Sequence, residues 1–589
     1  MKTSALVSLS DFPRRASLPA SFFCTLLLAS ALLTGCGGGG GSDAGTPVAV
    51  APPGTTTPVD PGTPANPTPD VPVTPTDPNQ PTEPTPPAGR WTIGDLHVHT
   101  SQSNDTQANP TLDSVLSKAF KTFGLDWMAI SDHLRVSSFD NDGNPITTIP
   151  FSEGMAKYQV ARIKALQASG TYADKTIFTS FEWDMPTHDH ANIGILTDDP
   201  MSAKALKAAS QFEYLFTDRP ASQFPVGDVA AWSALDTKAY ATHADAMAAI
   251  GWLKKNHPDT SYLQINHPSR NSGKYTAAQL REMNDLAPKI VFSLEGMVGN
   301  QMEPDRGGYT QANSPTPANL VNRTYGGVDY LVAKLGGTWD ALLSEGRQIW
   351  NVADSDYHFT TSGNNSSGYA PGEYAKNHLF GDIKDPQSLL TAMRKGKLFA
   401  TYGDLIDALD FRVANATASA EMGEDLATKA GDQLAITIRF KSPARNNYEF
   451  VLGSGIPANV KPMVDHIDLI AGDVTGREQP GTPGYARDTN PSTRVVKRFT
   501  ANDWKLDADG YYAVTYTVTA TGSQYFRLRG TNLGVDVPGE MVAGEPQPDV
   551  SIKVTDVPTA AARFNAINAR NYSDLWFYSN PVFVKAAAL

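Results

Sequence analysis

Between Trp91 and about Gly403, short apolar runs alternate with longer segments whose apolar side chains recur every three or four positions. The runs are "WTIGDLHVH", "LDWMAISDH", "TIFTSFEW", "ANIGIL", "YLQINHP", "KIVFSLEGM", "QIWNVADSDYH" and "KLFATYG", and their length and pattern predict strands. Between them, "TLDSVLSKAFKTF", "GMAKYQVARIKALQA", "HADAMAAIGWLKKN", "GVDYLVAKLGGTWDALLSE" and "DPQSLLTAMRKG" carry the period of amphipathic helices. Strand and helix in alternation over about 300 residues predict a parallel sheet, most simply an α/β barrel. After about Asp407 the helical period fades. "ALDFRVANA", "QLAITIRF", "VDHIDLIAGD", "TRVVKRFT", "GYYAVTYTVTA", "SQYFRLRGTN" and "LWFYSNPVFV" follow one another as alternating or apolar runs, which predicts a β-sandwich.

Upstream of Trp91 no segment has the makings of a core. Lys2, Arg14 and Arg15 precede the apolar run "ASFFCTLLLASALL", too short for an ordinary membrane-spanning helix and patterned like an export signal. The run ends in "LTGC", which resembles the lipobox of bacterial lipoproteins, so Cys36 is expected to be lipidated and to become the mature N-terminus. Residues 46–89 hold 15 of the 43 prolines, mixed with Thr, Asp and Gly. Such a stretch predicts an extended tether of about 3 Å per residue. The expected plan is therefore signal and lipobox over 1–36, tether over 37–90, an α/β domain over 91–405 and a β domain over 406–589. The expected location is outside the cytoplasm, on a membrane of the bacterial envelope.

Composition narrows the function. The formal net charge is -13, which disfavours nucleic acid, whose binding rests on clustered Lys and Arg. Small substrates and metals suit an acidic chain better. The two cysteines are Cys24 and Cys36, so the rest of the chain has neither disulfide nor thiolate ligand. It also lacks a G-x-S-x-G elbow, a P-loop and a G-x-G-x-x-G following a strand.

The chain has 11 histidines and places two of them in "GDLHVHTSQSND". Successive side chains of a strand point to opposite faces, so Asp95, His97 and His99 share one. Two imidazoles so placed can meet one cation, with Asp95 suited to fix a histidine tautomer. Other predicted strands also end in His or acid: Asp132 and His133, then Glu182 with His188 and His190, then His267, then Asp356 and His358. Barrel active sites are built at those strand ends. Arg135 and Arg270 lie two and three residues beyond a histidine, in reach of the site mouth, where a guanidinium can clamp a phosphate. His243, His257, His378 and His466 match no motif and are expected to be surface or satisfied polar groups.

The order D-x-H-x-H, D-H, Glu, His, H-P, D-x-H resembles the PHP (polymerase and histidinol phosphatase) family of metal-dependent phosphoesterases, over residues 91 to about 403. "LLTAMRKGKLFATYG" is similar to the helix and strand that close many such domains. The β region ending in "FYSNPVFV" is similar to the tail of a subgroup that includes a carbamate-cleaving enzyme. The resemblance implies a distorted (β/α)7-type barrel followed by an all-β, sandwich-like domain. It also implies two or three divalent cations (Zn, Mn or Fe): His97, His99, Glu182 and Asp356 around one, Glu182 bridging to a second on His190 and His267, and Asp105, His133 and His358 on a third. Two departures stand out. Ser103-Asn104-Asp105 shifts an acid by one position, and "HDH" offers both His188 and His190 where the family has one histidine; the expectation falls on His190. Glu295 in "FSLEGM" resembles the acid that ends a strand in the subgroup, and equally suits a carboxylate beneath the site. The implied activity is hydrolysis of a small phosphoester by a water shared between cations, with Asp95, Glu182, Arg135 and Arg270 as its working side chains. Amide or carbamate hydrolysis on the same metals, or a surface-anchored binding lipoprotein, are the alternatives.

Overall fold

Asp95 sits where it does because Gly94 precedes it. The computed structural model packs the Trp127 indole flat over Gly94, where an added Cβ would lie 2.0 Å from the ring. That contact sets the parallel pairing of strand Arg90–Asp95 with strand Trp127–Ile130, in the register Gly94 to Trp127 and Asp95 to Met128. The structure describes residues 89–106, 109–309, 322–358, 368–446, 460–552, 557 and 559–587. The export signal, Cys36 and the Pro-rich tether lie outside them.

Five strands form one sheet in the order Trp350–Ala353, Val291–Met297, Ser261–Ile265, His190–Ile195, Phe181–Asp184. The first three are parallel. His190–Ile195 runs antiparallel to both neighbours, a departure from the all-parallel expectation. The cause is local, because the link from Asp184 to His190 is far too short for a crossover and makes a hairpin. The predicted strand "TIFTSFEW" divides at Ser180 into Thr176–Thr179 and Phe181–Asp184, which join different sheets.

The largest sheet has eleven strands. Its path runs Asp425–Lys429, Val582–Ala587, Gln524–Thr531, Trp576–Ser579, Leu398–Tyr402, Ala375–Gly381, Arg90–Asp95, Trp127–Ile130, Thr176–Thr179, with His466–Asp473 and Arg494–Thr500 branching from Gln524–Thr531. A third sheet orders Ser419–Glu421, Ala408–Ala414, Gln433–Lys441, Tyr512–Thr519 and Lys505–Leu506. Among the described residues these sheets stay open and no closed barrel forms; isolated bridges Val98–Tyr357 and His133–Glu182 join strand ends of the first two. The C-terminal region also departs from an all-β sandwich. Its strands are shared between the third sheet and the largest one, and helix Ala560–Ser573 precedes the last two. One buried apolar cluster runs from Leu96 and Trp127 through Trp339 and Trp350 to Phe577 and Phe583. No helix among the described residues is long and apolar enough to cross a membrane.

Strand Ala375–Gly381 carries His378, buried and not at the surface. Its ring stacks on Phe399 at 4.4 Å between centroids, and its Nε2 lies 3.2 Å from Thr401 Oγ1. Burial, helped by the Lys376 charge, pushes its pKa down to about 3. The unfolded chain therefore binds a proton below about pH 6.5 that the folded chain refuses. Stability from this group is full above pH 6.5 and is lost as pH falls toward 3. His378→Phe is expected to flatten that limb, read as a smaller fall in melting temperature between pH 7 and pH 4 than in the wild type.

Candidate metal centre

His97 and His99 follow the end of strand Arg90–Asp95, pinned by the His99 N–H donating to the Tyr357 carbonyl at 2.9 Å. Both are buried, and their Nε2 atoms lie 3.1 Å apart. Glu182 stands opposite. Its Oε1 is 3.1 Å from His97 Nε2, 3.0 Å from His190 Nδ1 and 3.4 Å from His267 Nε2. Its Oε2 is 3.3 Å from His99 Nε2 and 3.2 Å from His133 Nε2. One carboxylate thus meets five imidazoles.

Two further acids complete the cluster. Asp356 Oδ1 lies 3.2 Å from His97 Nε2 and 3.4 Å from His99 Nε2. Asp105 Oδ2 lies 2.7 Å from His133 Nε2 and 3.5 Å from His358 Nε2, so the acid shifted by one position still arrives. Possible ligand atoms gather in overlapping groups: His97, His99, Glu182 and Asp356; His99, Asp105, His133 and His358; His133, Glu182 and His190; Asp189, His190 and His267. The first two bring together residues that the sequence reading grouped, with His99 joining both and His133 also in the third. In the last, His267 falls together with Asp189, a residue outside the expected ligand set. A separate acidic group, Glu540, Asp549 and Asp574, surrounds Arg306 and has an ion-pair partner of its own.

The donor set fits divalent cations. Two Nε2 atoms 3.1 Å apart, both turned to Glu182 and Asp356, bring two imidazoles and two carboxylates to one buried region, a set that can close on a cation once the rings are neutral. Both ring nitrogens of His267 and Nδ1 of His133 are buried without a hydrogen bond among the described residues. His267 and Asp356 also adopt left-handed backbone, with φ of 25° and 46°. Non-glycine residues hold that conformation only where their surroundings impose it, and such residues cluster at functional sites.

Electrostatics point the same way. Burial works to lower the His99 pKa, but hydrogen bonds to Asp356 and Glu182 lift it to about 9. Burial is likewise overcome at His190, which the Glu182 charge and a bond to Asp184 raise to about 10. Burial would push Glu182 up, yet the charges of His97, His190 and His133 hold it well below the usual carboxylate range. Without cations, protons on imidazoles supply the balancing charge. Metal binding must expel them, so affinity rises with pH.

No protein-family model and no curated protein matches this chain. Among solved structures it resembles a two-domain protein from Bacteroides vulgatus ATCC 8482 containing a predicted PHP-like metal-dependent phosphoesterase. The two are 10% identical, with 79% of this chain and 95% of that chain covered at a TM-score of 0.31. A likeness so slight carries no argument about function.

The remaining predicted residues divide by position. Asp95 accepts from the His97 N–H at 3.0 Å and from the Ser355 N–H at 3.2 Å, bracing backbone; the oxygen at His97 Nδ1 belongs to Glu295, 3.3 Å away. Glu295 also accepts from the His267 N–H at 2.9 Å, so it ties two strand ends beneath the site. Arg135 grips Asp184 through Nε at 2.6 Å and Nη2 at 2.5 Å, with Nη1 3.7 Å from Asp105. Arg270 donates to Asp356 Oδ2 at 2.9 Å and to the Gly307 carbonyl at 2.8 Å. His188 turns away: Nδ1 donates to the Lys274 carbonyl at 2.5 Å, and Nε2 meets His243 Nδ1 at 2.8 Å. Sequence reasoning could have found Asp189, since "HDH" places it between two histidines. Nothing in the sequence flagged Ser103, whose hydroxyl donates to Asp105 Oδ1 at 2.8 Å and lies 3.1 Å from His99 Nδ1.

Proposed function

We propose that this protein is a metal-dependent hydrolase, and that the bond it cleaves is a phosphoester. The supporting observation is the contact of Glu182 with His97, His99, His133, His190 and His267, which gives neighbouring ligand groups a common carboxylate. His97, His99, Asp105, His133, Glu182, His190, His267, Asp356 and His358 would hold two or three divalent ions. When bound, such ions polarise a substrate oxygen and bring the pKa of water toward neutrality, so no serine or cysteine nucleophile is needed. Arg270, partly buried beside Asp356, and Arg135 at the rim bring guanidinium charge that suits a phosphate, with their paired Nε and Nη2 donors held by Gly307 and Asp356 and by Asp184. Asp95 and Glu295 hold the strand ends still from below. Residues 1–36 support a further proposal, export and lipid attachment at Cys36, which places the hydrolase in the cell envelope.

The test is elemental analysis of the purified protein, followed by a screen of phosphomonoesters, phosphodiesters and aryl carbamates with Zn, Mn and Fe. Bound metal and turnover of a phosphoester, both abolished by a chelator, are expected. Turnover of carbamates alone would move the reading to that bond, and a protein that takes up no metal would end it.

A further inference from the structure

Glu182, Asn192 and Gln264 face one another across three neighbouring strands, Glu182 paired with Asn192 and Asn192 with Gln264. All three are buried, as is Asn266 just beyond the strand Ser261–Ile265. Amides are poor company for a core unless their polar atoms are held in fixed directions, and here all but Gln264 Oε1 find a partner among the described residues.

Chemistry fixes those directions. The Glu182 carboxylate can only accept, so the atom 2.8 Å from its Oε1 is Asn266 Nδ2. The second hydrogen on that nitrogen goes to Asn192 Oδ1 at 3.0 Å, which leaves Asn192 Nδ2 to donate to the Leu96 carbonyl at 2.9 Å. Asn266 Oδ1 accepts from Gln264 Nε2 at 3.4 Å, whose other hydrogen reaches Asp354 Oδ2 at 2.8 Å. Asp354 Oδ1 then accepts from the Leu96 N–H at 2.8 Å. The ladder begins and ends on the main chain of Leu96, the residue before His97.

We infer that Asn266 is a positioning residue, which through this amide ladder aims Glu182 Oε1 at its histidines and fixes that aim relative to the His97–His99 strand end. The inference rests on the metal-dependent reading. It adds that the geometry of the shared carboxylate is set by an amide touching neither substrate nor cation. Outer partners of this kind typically contribute about 10- to 100-fold in metal affinity.

The test uses the full chain and Mn2+ as probe, with Asn266→Leu, of similar size but without a donor, and Asn266→Ala, which leaves room for water. Expected are a cooperative melt, Mn2+ affinity weakened by about 10- to 100-fold, and an altered low-temperature EPR spectrum of the loaded protein, since coupling between neighbouring Mn2+ ions reports the carboxylate they share. A residue that merely fills space would lower the melting temperature and leave that spectrum alone. If Asn266→Leu fails to fold, Asn266→Ala decides. In a Glu182→Gln background, Asn266→Ala should cost little more, because both changes break one contact. Variants that bind Mn2+ like the wild type with the same spectrum overturn the inference alone; a wild-type protein that binds neither Mn2+ nor Zn2+ overturns the metal reading as well.

Discussion

Glu182→Gln is expected to lower hydrolysis by about three orders of magnitude or more and to empty at least one cation position. The change keeps the size and removes the charge. Two dications a few ångströms apart repel strongly in a buried site, and a shared carboxylate offsets that repulsion. The amide does more than withdraw charge. Its nitrogen would donate to imidazole lone pairs that are wanted for metal, so a buried hydrogen bond would compete with the cation. Asp95→Asn, which loosens backbone without touching a ligand atom, should cost only about 10- to 100-fold. Metal content by mass spectrometry together with kcat on the best phosphoester checks both. Near-normal turnover with a full complement in Glu182→Gln would assign the shared carboxylate elsewhere, first to Asp356.

The double substitution His97→Ala with His99→Ala should bring bound metal and activity close to background. Both imidazoles touch Glu182 and Asp356, so each group that includes His99 or His97 loses a ligand at once. The loss reaches further than metal. In the cation-free protein buried Glu182 and Asp356 raise the pKa of both rings against the pull of burial, His99 to about 9. Removing them leaves two buried carboxylates short of partners, so the cation-free variant should also melt below the cation-free wild type at neutral pH. Unchanged metal content in the double variant would refute the site.

How far the sequence spoke depended on the kind of signal. Period-two alternation put His97 and His99 on one face, and strand ends placed His133, Glu182 and His267, because these depend only on local backbone geometry. Direction of pairing is a different matter. Whether the strand beginning at His190 runs parallel or antiparallel is set by the five-residue link before it, and an apolar run alone does not carry that information. The strand Ala375–Gly381 is hidden for a related reason. It is buried yet carries Lys376, Asn377 and His378, each held by a partner from another element: Asp404, Asp354 and Thr401. Polar residues in a core look like surface residues until their partners are known. The same blindness hid Asn192, Gln264 and Asn266, whose meaning lies entirely in one another. Asp95 was legible as important and misread in role, because Glu295, some two hundred residues away in sequence, holds the ring nitrogen that Asp95 was expected to hold.

The pairing of strand Leu398–Tyr402 with strand Trp576–Ser579 has a consequence for the history of the chain. A boundary near residue 405 looks like a seam between modules, yet severing there would strip hydrogen bonds from a central strand and leave a row of open N–H and C=O groups as a template for other chains. Phe399, Ala400 and Thr401 each lie opposite a residue from the last strands of the chain. The half that holds the candidate metal centre would expose this edge if it stood by itself. Any ancestor or homologue lacking the C-terminal strands must cover that edge with something else, and what it uses will show whether the β region arrived as a cap that later became indispensable.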